Sequence, residues 1–225
     1  MRAILSVFLV LLLCGAALAA PYGDYDLRKA IVSADPATGR KEAVDGAYLQ
    51  RMISDLYDHA GSYPPKFDNK QDMERARRDA AVLLKAMPIF ADDLKDDQVL
   101  QLVTGATGAV AHNLDLPGGD AVARKYLGRL LELNPDHGPG NQFLGVHLMG
   151  SNAVQESLPH LKKARAQGVS EADYSLAVAS LMLDDRKAAE EYLVEFLAKR
   201  PGDQQAERLL KAVRDPKVRF GQKAK

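Results

Sequence analysis

Cysteine is almost absent: Cys14 is the single example, and it lies inside an apolar leader. The rest of the chain therefore has no thiol, no disulfide and no cysteine-ligated metal, and its fold rests on packing alone. An excess of charge of one sign is also missing. The 30 basic residues equal the 30 acidic ones, and loss of Arg2 with the leader leaves a formal charge of about minus one. Nothing in that balance calls for nucleic acid. The stretch "ERARRD", Glu74 to Asp79, interleaves acids with its arginines, the pattern of a solvated helix face.

Recognisable catalytic constellations are missing too. There is no G-x-S-x-G, no H-E-x-x-H, no phosphate-cradling glycine loop and no cysteine pair. The five histidines, His59, His112, His137, His147 and His160, show no metal-ligand spacing. His59, next to a helix end, reads as a partner of the helix dipole. His160 reads as half-buried packing, His137 as a solvated turn residue, and His147 has no evident partner. The acids of "DDLKDD", Asp92 to Asp97, lack the twelve-residue calcium loop and read as a solvated helix entry. The basic end "KVRFGQKAK", Lys217 to Lys225, reads as a frayed polar tail within residues 216–225. No catalytic residue, cofactor or metal is expected.

What is present begins with the leader, "MRAILSVFLVLLLCGAALAAPYG": one positive residue, an apolar run from Ile4 to Leu13, then Ala17-Leu18-Ala19. That order is a cleavable export signal over residues 1–20, cut after Ala19 or Ala20. An apolar run of about ten residues is too short for a membrane span, which needs roughly 20. No second run of membrane length follows, so a soluble periplasmic or secreted protein without a membrane span is expected.

Residues 21–103 read as an amino-terminal helical region. Between Glu42 and Ala60, Tyr48, Leu49, Met52, Ile53 and Leu56 fall on one helical face, and Gly61 ends the helix before the "SYPPKFDN" loop. A second helix follows Asn69, with Met73, Ala76, Ala80, Leu83, Leu84 and Met87 on one side, and Pro88 ends or kinks it. No convincing strand alternation occurs, so the class is all-α.

Further along, the chain repeats itself. "YLGRLLELNP", from Tyr126, returns sixty-six residues later as "YLVEFLAKRP", from Tyr192. Half that spacing predicts a third copy between them. "AVARKYLGRLLELNPD", "VQESLPHLKKARAQG" and "RKAAEEYLVEFLAKRPGD" superpose: a small residue (Ala123, Ser157, Ala189), leucine four places on (Leu127, Leu161, Leu193), and an apolar residue three further (Leu130, Ala164, Phe196). The preceding helices carry Val110-Ala111, Leu144-Gly145 and Leu176-Ala177. Small residues on both helices of a pair allow close approach. Pro135, Gly168 and Pro201 close the units, and Ser170 to Asp173 has the spacing of a capping box.

These residues resemble the tetratricopeptide repeat family, whose helix-turn-helix units of about 34 residues place small residues and leucines as here. The units run over residues 104–137, 138–169 and 170–203, with a capping helix at 204–215. The middle unit is short and lacks the closing proline. The resemblance implies a helix-turn-helix repeat solenoid whose first helices line a concave groove holding a protein or peptide partner.

Two positions past Val110, Leu144 and Leu176, helices of this kind point away from the pair interface. Those positions are His112, Val146 and Val178. Adjoining ridges hold Gly108, Gln142 and Tyr174, then Asp115, Met149 and Leu181. The expected groove is Val146, Met149, Tyr174 and Val178 for an apolar anchor, with Gln142, His112 and Asp115 as polar contacts. Some of these, Leu181 above all, could equally be core between repeats. The function expected is a non-catalytic exported scaffold, an adaptor for other proteins of the envelope. The alternative is an exported small-molecule or glycan-binding protein, or a hydrolase without a local motif, using the "GSYPPKFDNK" loop and the amino-terminal helices as a lid.

Overall fold

The computed structural model describes residues 21–34 and 41–220. The expected leader, its expected cleavage site and Cys14, all within residues 1–20, lie outside the described residues, as does the end of the basic tail after Phe220. The described chain is overwhelmingly helical, so the helical class holds. The exception is a short antiparallel ladder of β1 (Ile31–Ala34) and β2 (Lys41–Val44), with an irregular register. Contacts divide the chain into residues 1–126 and 127–225, and the division falls within the fourth helix.

In the first unit, α1 (Gly46–Ala60) begins four residues later than the periodicity predicts. The reason is its cap: the Asp45 carboxylate accepts the Tyr48 N–H at 2.9 Å, and the preceding residues are committed to β2. Asn69 caps α2 (Lys70–Asp93) in the same way, through the Asp72 N–H. Pro88 does not end α2, which runs on to Asp93. Asp97 caps α3 (Gln98–Asn113) through Leu100. The buried stripes Met52–Leu56–Ala60 and Ala76–Ala80–Leu83–Met87 meet in one core with Val110 and Leu114.

The residue that closes this core is Tyr22, 1% exposed. Its N–H donates to Asp72 at 3.2 Å, its carbonyl accepts from Arg75 at 2.7 Å and its hydroxyl donates to Asp79 at 2.9 Å. Burial, and next the Asp79 carboxylate, hold its phenol far above the usual pKa. His59 sits edge-on to Tyr22 and stacked on Phe67, with Nδ1 2.8 Å from the Asp55 carbonyl. It stands in the last turn of α1, and it is also a core residue, 5% exposed.

Helix α4 (Gly119–Leu133) follows α3 after a turn in which Asp115 and Gly118 take positive φ. Gly108, read as an outward ridge position, lies at the α3–α4 contact. A Cβ there would stand 2.4 Å from the Ala123 backbone nitrogen and 2.9 Å from the Gly119 carbonyl oxygen. Both obstacles are backbone, so they cannot rotate away. Gly108→Ala is expected to lower stability by about 1–3 kcal/mol, measured by chemical denaturation, whereas Gly145→Ala, whose Cβ would press mainly on the Leu161 side chain at 2.6–2.7 Å and stand 3.3 Å from its backbone nitrogen, should lose less.

The second unit contains α5 (Gly138–Gly150), α6 (Val154–Ala166), α7 (Glu171–Met182), α8 (Arg186–Lys199) and α9 (Gln204–Arg214). Each packs on the next, and α5 also packs on α7. The predicted stripes are buried in full: Ser157, Leu161 and Ala164, then Ala189, Leu193 and Phe196. Reversals between helices use left-handed residues, Asn152 and Asp184 after α5 and α7, Gly168 and Gly202 after α6 and α8. Asn and Asp tolerate this region better than other side chains, and Gly adopts it freely.

Two local expectations fail here. The capping box at Ser170 is not made: Ser170 is itself helical, with φ −63° and ψ −32°, and makes no side-chain cap bond. Asp173 is instead drawn to two cations, Arg165 at 2.6 Å and Lys199 at 2.5 Å. The tail is also not frayed as far as Phe220. Arg186 donates to the carbonyls of Val213, Asp215 and Val218 and lies 5.3 Å from the centre of the Phe220 ring. Ala206 and Val213 of α9 pack into the core that α8 shares with α7.

Candidate functional site

The candidate site is the outward side of α5 and α7. Of the twelve residues of α7, eight are buried, because α5, α6 and α8 all pack against it. Those left are Glu171, Tyr174, Val178 and Met182, which follow one ridge at three- and four-residue steps. Three of the four are apolar. On α5 the matching open positions include Gln142, Phe143, Val146 and Met149. Phe143 and Met182 are absent from the expected groove, although Met182, 45% exposed, is signalled by the same ridge spacing that selects Tyr174 and Val178.

Each expected residue has a definite place. Gln142 donates to Ser175 Oγ at 2.8 Å, tying α5 to α7, while its Oε1 is buried and accepts no hydrogen bond among the described residues. Val146 and Met149 are half-buried against Val154, Leu161, Leu176 and Ala179. Tyr174 packs on Phe196 with ring centres 5.5 Å apart, and its hydroxyl accepts from Gln205 Nε2 at 2.9 Å. Burial raises its phenol pKa. Val178 is half-buried, and Leu181, 7% exposed, belongs to the core.

His112 and Asp115 belong to the first unit. His112 lies in the last turn of α3, with its backbone nitrogen close to Gly119, and Asp115 is exposed in the turn with φ 56°. Asp115 is therefore a turn former, its positive φ being the reason a short acidic residue stands there.

The remaining histidines are structural in their geometry. His137 caps α5, Nδ1 accepting the Gly140 N–H at 3.0 Å, and is not the solvated turn residue expected. Asn141 donates to the carbonyls of Pro135 and His137, which leaves its Oδ1 to accept from His160 Nδ1 at 3.0 Å. His147 is buried. Burial lowers the pKa of His137 and, with Lys163, that of His160. A histidine whose folded pKa lies below its unfolded value of about 6.5 loses stability as pH falls through that value, since the unfolded chain takes the proton first. Protonation of His137 Nδ1 also removes the acceptor for Gly140. Melting temperature is expected to fall between about pH 7 and pH 5, and His137→Asn, a cap that does not titrate, should flatten part of that fall.

Among the described residues no group of three or more His, Cys, Asp or Glu side chains could hold a metal ion, and no helix is long and apolar enough to cross a membrane. In the first unit there is an open hollow of about 440 Å³ lined by Tyr25, Gln50, Arg51, Ser54, Asp55 and Asp58 among others. None of the "GSYPPKFDNK" loop lines it. Burial, followed by the Asp55 carboxylate, pushes the Tyr25 phenol well above its usual pKa. Comparison with protein-family models, curated proteins and solved structures gave no match.

Proposed function

We propose that the chain is an exported, non-catalytic helical-repeat scaffold of tetratricopeptide type, periplasmic or secreted, that takes a protein or peptide segment along the outward ridge of α5 and α7. The observation that carries this reading is the composition of the α7 ridge. A helix buried on all other sides leaves Tyr174 and Val178 half-buried and Met182 exposed along one ridge, where a run of apolar residues with an adaptable Met and an amphipathic Tyr suits a partner side chain. Sequential packing of α5 to α9, with α9 as the closing helix, supports the repeat assignment.

Tyr174 is a poor probe of this surface, because its packing on Phe196 makes alanine there destabilising in its own right. Val178→Glu with Met182→Glu is the sharper test. Capture from an envelope extract is expected to recover a stoichiometric protein with the unmodified chain and at least tenfold less with the charged variant, at equal melting temperature. Equal recovery by both would sink the reading. The alternative of a small polar ligand has one observation of its own, the hollow beside Arg51, and an Arg51→Ala change that abolishes a co-purifying ligand would favour it.

A further inference from the structure

Helices α1, α2, α3, α8 and α9 are capped by the side chains of Asp45, Asn69, Asp97, Asp185 and Asp203. Helix α5 is capped by a histidine instead. The difference is chemical. An amide does not titrate and a carboxylate does so near about pH 4, whereas an imidazole takes a proton near about pH 6.5 and then accepts no hydrogen bond. At this cap the state of the ring is fixed by its partner. The Gly140 N–H can only donate, so His137 Nδ1, 3.0 Å away, is the bare nitrogen and Nε2 carries the proton.

The turn that depends on this bond is weak in itself. Its residues are Gly138, Pro139 and Gly140, and glycine is a poor helix former. Asn141 follows, fully buried, and donates to the carbonyls of Pro135 and His137. Its Oδ1 accepts from His160, which therefore holds the opposite tautomer, with the proton on Nδ1. Gln142 comes next and ties α5 to α7 through Ser175 at 2.8 Å. Loss of the cap is thus passed directly to the residue that joins the two ridge helices.

Among the described residues no carboxylate offsets a proton here. Leu130 of α4 stands against Gly140, and Gln167 and Val169 of the α6–α7 connection stand against Gly138, while Asp136 is exposed. The charged group that faces His160 is Lys163 of α6, of like sign, which itself donates to the Pro135 carbonyl at 3.3 Å. Burial of both rings opposes protonation in the closed turn, so acid favours the open one.

We infer that His137 makes the start of α5 an acid-released latch. Neutral, it holds the first turn and, through Gln142, the α5 side of the ridge; as the pH falls through about 6 the turn opens locally while the rest of the second unit stays folded. That the opening loosens a bound segment rests on the reading of the α5–α7 ridge. The opening itself does not.

Amide hydrogen exchange of the unmodified chain, resolved by NMR at pH 7.5 and pH 5.0 and corrected for intrinsic rates, tests the latch without a partner. Protection of the Asn141, Gln142 and Phe143 amides is expected to fall about tenfold. His137 alone can supply no more than about thirtyfold, the ratio set by an open-state value near 6.5. Helix α8, capped by Asp185, should keep its protection, and His137→Asp, a cap still ionised at pH 5.0, should keep that of α5. Imidazole nitrogen shifts at pH 8 should place the proton on Nε2 of His137 and on Nδ1 of His160. Unchanged protection in α5, an equal fall in α8, a fall that survives His137→Asp, or a proton on His137 Nδ1 overturns the inference. Any of these leaves the ridge reading standing, just as failed capture by the ridge leaves the latch standing.

Discussion

Arg165→Ala combined with Lys199→Ala is expected to lose about 3–5 kcal/mol of stability, seen as a lower denaturant midpoint at unchanged slope. Asp173 is 0% exposed on α7, and its two oxygens are divided between Arg165 of α6 and Lys199 of α8. One buried carboxylate thus links three successive helices. Arg165 also reaches Glu195 and covers the Tyr192 ring at 5.5 Å, so its removal costs packing as well as charge. Removing both cations leaves an anion buried without compensation, the costly case, while the cations themselves are partly solvated. Adding Asp173→Asn to the double variant should recover about half of the loss or more, because an amide carries no charge to strand. A loss below about 1 kcal/mol would mean that water reaches the carboxylate.

Leu193→Ala is expected to cost about 2–5 kcal/mol. Leu193 is fully buried on α8 among Ala177, Leu181, Ala189, Phe196, Ala206 and Val213, so deleting its branched end opens a cavity where α7, α8 and α9 meet. Its neighbour in sequence supplies the control. Val194 is 44% exposed, and Val194→Ala should stay within about 0.5 kcal/mol. Comparable losses at both positions would show that α8 is rotated from the stripe that the repeat spacing predicts.

The core of the second unit was largely legible from sequence, since Ser157–Leu161–Ala164 and Ala189–Leu193–Phe196 recur at a spacing set by the helix itself. Acidic and amide caps at Asp45, Asn69 and Asp97 work over three residues and belong to the same local order. Tyr22 was not legible: no periodicity surrounds it, and its partners Asp72, Asp79 and His59 are distant in sequence. The capping box at Ser170 had the right letters, but Asp173 found stronger partners on other helices. Gly108 looked like a ridge residue until α4 came against it.

The same division runs through the candidate site. Position on a helix selects Val146, Tyr174 and Val178 as outward, but outward of one pair is not outward of a stack. Leu181 became core and Met182 became surface because of what the neighbouring helices cover. The amino-acid sequence by itself determined the helices, their stripes, caps such as Asp45, Asn69 and Asp97, and the small residues that let pairs close, all through interactions between residues a few places apart. Only the tertiary structure decided which remaining faces stay open, because exposure is set by neighbours far along the chain, and those open faces are where a partner can bind.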